Sequence, residues 1–105
     1  MGEIVVVNLR TKVEKGWTRI SVARPSILGN PFYMKDKTEF ERVRVIAQHK
    51  SWLWMQMQKM GDINTELIRI AKMKEDIELA CYCKPLSCHG DTLRDAILWI
   101  RKNRL

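Results

Sequence analysis

All three cysteines of the chain, one of its two histidines and an aspartate fall in eleven consecutive residues, Cys81-Tyr82-Cys83-Lys84-Pro85-Leu86-Ser87-Cys88-His89-Gly90-Asp91. Four chemistries are open to that set. Cys81, Cys83, Cys88 and His89 are soft or borderline donors, the kind a structural zinc site uses. Cys88, at the start of a helix, is a candidate nucleophile, because the helix dipole lowers a thiol pKa. His89 and Asp91 would then be its base and orienting group. The free amides that open the helix, with Gly90 leaving the backbone approachable, suit a phosphate or another anion. The fourth use is structural: Cys81 and Cys83 as small core side chains, Pro85 to stiffen the turn, Asp91 to complement the helix dipole.

Spacing bears on the metal. On a strand, Cys81 and Cys83 point the same way, with Cβ atoms about 6.6 Å apart. Two thiolates on one tetrahedral zinc need sulfurs only about 3.8 Å apart. Strand geometry therefore sets Cys81 with the core and Cys88-His89-Gly90-Asp91 with a pocket at the helix start.

A strand must lead into this turn and a helix must leave it. Ile77 to Cys83 is apolar and reads as the strand. Thr92 to Lys102 places Leu93, Ala96, Ile97 and Ile100 on one helical face. Far upstream, Glu3 to Asn8 is β-branched and continuous, which predicts a strand buried on both faces. Trp17 to Val22 alternates apolar with polar and predicts a short half-exposed strand, paired with the first as a hairpin or lying apart from it. Arg24-Pro25-Ser26-Ile27-Leu28-Gly29-Asn30-Pro31-Phe32 is a shaped loop, its φ angles fixed by two prolines and its backbone freed at Gly29. It is a structural turn or a ligand-binding loop with Arg24, Ser26 and Asn30 as its polar groups.

Between these motifs lies helix. Thr38-Glu39-Phe40-Glu41 matches a capping box, with Glu41 reaching back to Thr38. That helix should run to about Met60 and be ended by Gly61. Phe40, Val43, Ile46, Ala47, Leu53, Trp54 and Met57 make its apolar stripe, with Trp52 and Met55 outside it and His49 on the surface. An apolar face that broad suggests burial on two sides, or an oligomer contact through the Trp52–Met57 region. A second helix, Asp62 to Glu75, carries Leu67, Ile68, Ile70 and Ala71.

The order strand, short strand, loop, helix, helix, strand, helix implies a parallel pair joined by a helical crossover. The expected fold is α/β: a small Rossmann-like sandwich, a mostly parallel sheet with helices packed on it, in a single domain over residues 1–105. Ligands of such sheets sit at the carboxyl ends of the strands, where Asn8, Arg10 and the Cys83 turn converge.

Composition limits the partners. Nineteen Lys and Arg against 12 Asp and Glu give a net charge of +7, which favours phosphorylated or polyanionic partners or simply a solvated surface. An odd cysteine count argues against a secreted disulfide framework. No apolar run approaches a membrane span. The N-terminus lacks a signal-peptide pattern, and Val6 breaks the myristoylation pattern. The expectation is a cytoplasmic protein with no membrane partner.

Asn8-Leu9-Arg10, then Arg24-Pro25-Ser26 through Gly29-Asn30-Pro31-Phe32, then Cys81-x-Cys83-x-Pro85-x-x-Cys88-His89-Gly90-Asp91, together resemble the domain of unknown function 4326 family. The resemblance spans nearly the whole chain, with three motifs in order. It implies a Rossmannoid fold, a polar pocket built from those motifs, and a phage or prophage origin with the host cytoplasm as its compartment; it supplies no activity. The turn is also similar to a second uncharacterised bacterial family with a Cys-His-Arg helix start, but Gly90 stands where that Arg would be.

Two functions follow as expectations. One is an accessory protein that binds, hydrolyses or sequesters a nucleotide-like or phosphorylated small molecule. Asn8, Arg10, Arg24, Ser26, Gly29, Asn30 and Gly90 would line its pocket, with Cys88, His89 and Asp91 as candidate catalytic groups. The other is a non-enzymatic protein that binds nucleic acid or a host protein, with a structural zinc at the cysteine turn. No cofactor is certain from the sequence; zinc is the candidate.

Overall fold

The run Ile4-Val5-Val6-Val7 is extended because β-branched side chains fit the pleated backbone. It forms β1, Ile4–Asn8. The computed structural model describes every residue from Met1 to Leu105. β2 is Trp17–Ser21 and β3 is Asp76–Cys81. The three strands make one sheet in the order β1-β3-β2, and both outer strands run parallel to β3. β1 and β2 are therefore not a hairpin; β3 lies between them.

That order corrects the reading of β1. It is an edge strand, with Ile4 buried and Val5 to Asn8 only half-buried. The strand covered on both faces is β3, buried from Ile77 through Cys81. β3 also stops two residues earlier than its apolar sequence suggests, so Cys83 lies in the turn beyond it. The period-two argument that separated Cys81 from Cys83 does not apply.

Three helices complete the chain: α1, Glu39–Lys59; α2, Asp62–Ala71; and α3, His89–Asn103. α3 packs against β1 and β3, while α1 and α2 pack on α3 and on each other. The cross-strand rows Ile4–Ile77–Thr18 and Val6–Leu79–Ile20 are in register. Leu79 joins Leu53, Met57, Leu67, Leu93, Ile97 and Ile100 in the core. The alternate row is Val5–Glu78–Arg19. There Arg19 pairs with buried Glu78 at 2.8 Å and donates to the carbonyls of Thr11 at 2.6 Å and Lys12 at 3.2 Å. The Glu14 amide reaches Glu78 as well, at 3.3 Å. The β1–β2 connection is thus fastened to the sheet through one ion pair.

α1 begins as expected at Thr38, whose hydroxyl accepts from the Glu41 amide at 3.2 Å. Glu41 does not reach back. Its carboxylate accepts from the Lys35 amide at 2.8 Å and binds Arg44. The left-handed residue ending α1 is Met60, φ 59°, and Gly61 instead starts α2. The buried stripe is Glu41, Val45, His49, Leu53 and Met57, a run at i+4 spacing. Phe40 and Val43 are exposed, contrary to the expected stripe, and His49 is wholly buried rather than on the surface. The turn around Phe40 and Val43 has no layer above it, whereas position 49 faces the start of α3.

Candidate functional site

The carboxyl ends of the strands, the loop after β2, the first turns of α1 and the start of α3 enclose a cavity of about 680 Å³. That is the size of a small-molecule site. Its lining includes Arg24, Lys35, Lys37 and Arg42 against one carboxylate, Asp36. Phe32, Tyr33, Val45 and Ile46 give it apolar and aromatic wall, and Cys81, Cys83, Ser87, Cys88 and His89 close its inner end. Arg24, Asn30, Cys88 and His89 were expected there. Lys35, Lys37 and Arg42 were not, since they lie in a stretch without a motif. Arg42 is three residues beyond the first residue of a capped helix, and that position was the available signal.

Other expected site residues are occupied elsewhere. Asn8 fastens the cysteine turn to β1: its Nδ2 donates to the carbonyls of Lys84 at 2.7 Å and Tyr82 at 3.3 Å, and its Oδ1 accepts from the Arg10 amide at 2.8 Å. The Arg10 guanidinium sits over the Tyr82 ring, 5.5 Å from its centroid, outside the cavity. Ser26 and Asn30 turn inward on their own loop, accepting from the Leu28 amide at 3.1 Å and the Phe32 amide at 2.9 Å. Arg24 donates to the Asn30 carbonyl at 2.8 Å and stacks on Tyr33, 3.9 Å from its centroid. Gly29 and Gly90 have packing reasons. A Cβ on Gly29 would lie 2.9 Å from Ser26 O and Arg24 Cγ, and one on Gly90 would lie 2.8 Å from Val6 Cγ1.

Cys88, His89 and Asp91 do not form a relay. Asp91 caps α3, accepting from the Cys88 amide at 3.4 Å and pairing with Lys84 at 2.7 Å. That hydrogen bond raises the Lys84 pKa. His89 Nε2 lies 2.6 Å from the Val22 carbonyl. A carbonyl only accepts, so Nε2 carries the proton and the tautomer is fixed. Burial lowers the His89 pKa, and the carbonyl contact opposes that shift without reversing it. The ring of His89 also meets His49 edge-on, with centroids 5.2 Å apart. His49 has no hydrogen-bond partner on either ring nitrogen, and burial, followed by the charge of His89, takes its pKa down to about 3.

The sulfurs are the other cluster. Cys81 Sγ and Cys88 Sγ are 2.9 Å apart, and Cys83 lines the same end of the cavity. A thiolate at Cys81 would accept from Cys83 and then Cys88, which moves its pKa down. The same bonds, with burial, move Cys83 and Cys88 up. Arg42 approaches Cys83 and partly offsets that rise. As a metal set the geometry does not fit: no group of three or more His, Cys, Asp or Glu side chains is placed to hold an ion. The Cys81–Cys88 separation leaves less than the roughly 3.8 Å that two zinc thiolates need, and His89 Nε2 is committed to Val22.

The Trp52–Met57 region is divided between core and surface. Leu53 and Met57 are core. Trp54 meets Trp99 edge-on at 5.0 Å, Trp52 meets Phe32 at 6.3 Å, and Met55 stays exposed. No helix is long and apolar enough to cross a membrane.

Residues 7–99 match the family model described as Domain of unknown function (DUF4326). No curated protein and no solved structure matches the chain.

Proposed function

We propose, for a chain that belongs to the DUF4326 family, that the cavity binds a nucleotide-like or otherwise phosphorylated small molecule. The observation that carries this reading is the charge of the cavity wall: Arg24, Lys35, Lys37 and Arg42 against Asp36, beside the start of α3. Opposite charge in a concave, partly apolar site raises the local concentration of an anion. The dipole of α3, whose N-terminus lies beside the cavity, adds potential of the same sense. Tyr33, already stacked by Arg24, and Phe32 offer faces for a planar ring. In this reading Arg42 and Lys35 take the phosphate. Asn8, Ser26, Asn30 and Asp91 shape the walls, and Arg10 has no part. His89, neutral and fixed in tautomer, is the one lining group suited to proton transfer if the ligand is turned over.

Calorimetric titration of the full chain with AMP, ADP and pyrophosphate tests this. The expected result is saturable binding of at least one probe. Arg42→Ala should weaken it at least tenfold, about 1.4 kcal/mol, and Arg10→Ala should leave it unchanged. Absence of binding by all three probes, or equal loss in both variants, removes the reading.

A further inference from the structure

The structure assigns a second property to the inner end of the cavity: Cys81 and Cys88 are an oxidisable dithiol that a small peroxide converts to a disulfide joining β3 to α3. Cys81 is the last residue of β3 and Cys88 the residue just before α3. Their sulfurs are 2.9 Å apart, whereas a disulfide bond is about 2.05 Å long. Closure therefore needs a movement of less than about 1 Å. Both thiols are almost fully shielded, at 1% and 2% exposure, yet both line the cavity, so a molecule the size of hydrogen peroxide has one route to them. Cys83 lines the same route and is the more exposed of the three.

Cys88 Sγ serves α3 as its N-cap acceptor, but nothing structural demands a second thiol against it: a buried apolar side chain of similar volume would fill the place of Cys81. The hydrogen-bonded cluster lowers the cost of a first thiolate, which is the reactive form. In the first step that thiolate attacks one peroxide oxygen. The S–O bond forms, the O–O bond breaks, and the leaving hydroxide takes the proton of the medium to become water. In the second step the neighbouring thiol, losing its proton, attacks the sulfenic sulfur. The S–S bond forms and the S–O bond breaks, releasing a second water. Two sulfurs lose one electron each and the peroxide gains both. In a reducing compartment such a pair is transient and reversible.

The test uses the purified, reduced full chain, treated with a modest excess of hydrogen peroxide and quenched with catalase. Thiols are then counted under denaturing conditions, and iodoacetamide labelling is located by fragment mass spectrometry. The expected product is monomeric on a non-reducing gel, lighter by two hydrogens, and labelled at Cys83 alone; dithiothreitol restores labelling at all three. Cys83→Ser should give the same loss of label at Cys81 and Cys88. Three thiols surviving treatment, a principal disulfide that includes Cys83, or oxygen addition without a disulfide would each overturn the assignment. Because the decisive measurement is made on the unaltered chain, poor folding of a Cys81 or Cys88 variant does not bear on it, and neither does the outcome of nucleotide binding.

Discussion

Asn8 and Gly90 show how a residue that resembles part of a ligand site can belong to the frame. Asn8 is the only side chain tying the end of β1 to the carbonyls of the cysteine turn, through Tyr82 and Lys84. Removing it leaves a part-buried Lys84 carbonyl without its donor, at a cost of about 1–3 kcal/mol. Asn8→Ala should therefore lower the unfolding free energy read from a urea melt by that amount, and Asn8→Asp should lower it further, since a carboxylate would face two carbonyls. If Asn8→Asp matches the unaltered chain in a urea melt, the side chain is not the tie described. Gly90 is a contact problem. The 2.8 Å approach of a Cβ to Val6 Cγ1 meets a stiff β-branched side chain on a strand. Gly90→Ala should cost about 1–3 kcal/mol through overpacking. A neutral effect on thermal unfolding would place the freedom of Gly90 in ligand approach instead.

At the scale of elements, the sheet depends on one ion pair. Arg19 and Glu78 are 14% and 6% exposed, stand opposite each other on β2 and β3, and hold the β1–β2 connection. A buried pair adds little net stability over apolar packing, but breaking it strands a charge, at about 3–5 kcal/mol. Arg19→Met should destabilise by that much, and Arg19→Met with Glu78→Met by clearly less. Additive losses in that double-mutant cycle would mean the pair acts as two independent surface charges. The sequence carried much of this architecture and little of the pair. β-Branched β1, the Thr38 cap and the Leu93–Ala96–Ile97–Ile100 face were legible because each rests on local chemistry. The end of β3 was not, because Tyr82 and Cys83 continue an apolar run while the chain already turns. The burial of His49 is written in its spacing: Val45, His49, Leu53 and Met57 recur every four residues, and that spacing outranks the polarity of the residue. Of the site, Arg24, Asn30, Cys88 and His89 were legible from motifs. Lys35 and Arg42 were not, because only the approach of α1 to the cysteine turn brings them in.

For the whole molecule, the net charge of +7 is distributed between frame and cavity. Arg94 donates to the Ile4 carbonyl, Arg101 to carbonyls of Gly2, Ala71 and Met73, and Arg104 to Asn64. These cations close the chain termini on the core and are not a free basic stripe, whereas the cavity lining carries four cations against Asp36, with Glu39 3.7 Å from Arg42. The buried histidines make the same molecule sensitive to acid. His49 stays neutral in the fold until the pH nears about 3, held there by burial first and by its neighbour His89 second. His89 is lowered too, again by burial. Unfolded histidines take up protons from about pH 6.5 downward. Below that value the unfolded chain binds more protons than the folded one, so stability falls as the pH falls. For His49 the slope approaches about 1.4 kcal/mol per pH unit, and His89 adds to it in the same sense. Glu41 adds to this at lower pH. Its carboxylate is held down at about 2, chiefly by the hydrogen bonds of Arg44, so its contribution is present above about pH 4.5 and is lost as the pH falls toward 2. Urea midpoints measured from pH 7.5 to 5 should therefore be level above about 6.5 and decline below it. His49→Leu should remove the His49 part of that decline, leaving what His89 contributes, and raise stability at pH 7, because it deletes two buried nitrogens that have no partner. A midpoint that does not change between pH 6.5 and 5, or a His49→Leu chain that keeps the full slope, would mean that His49 finds a proton or a partner which its packing against Trp52 and His89 does not offer.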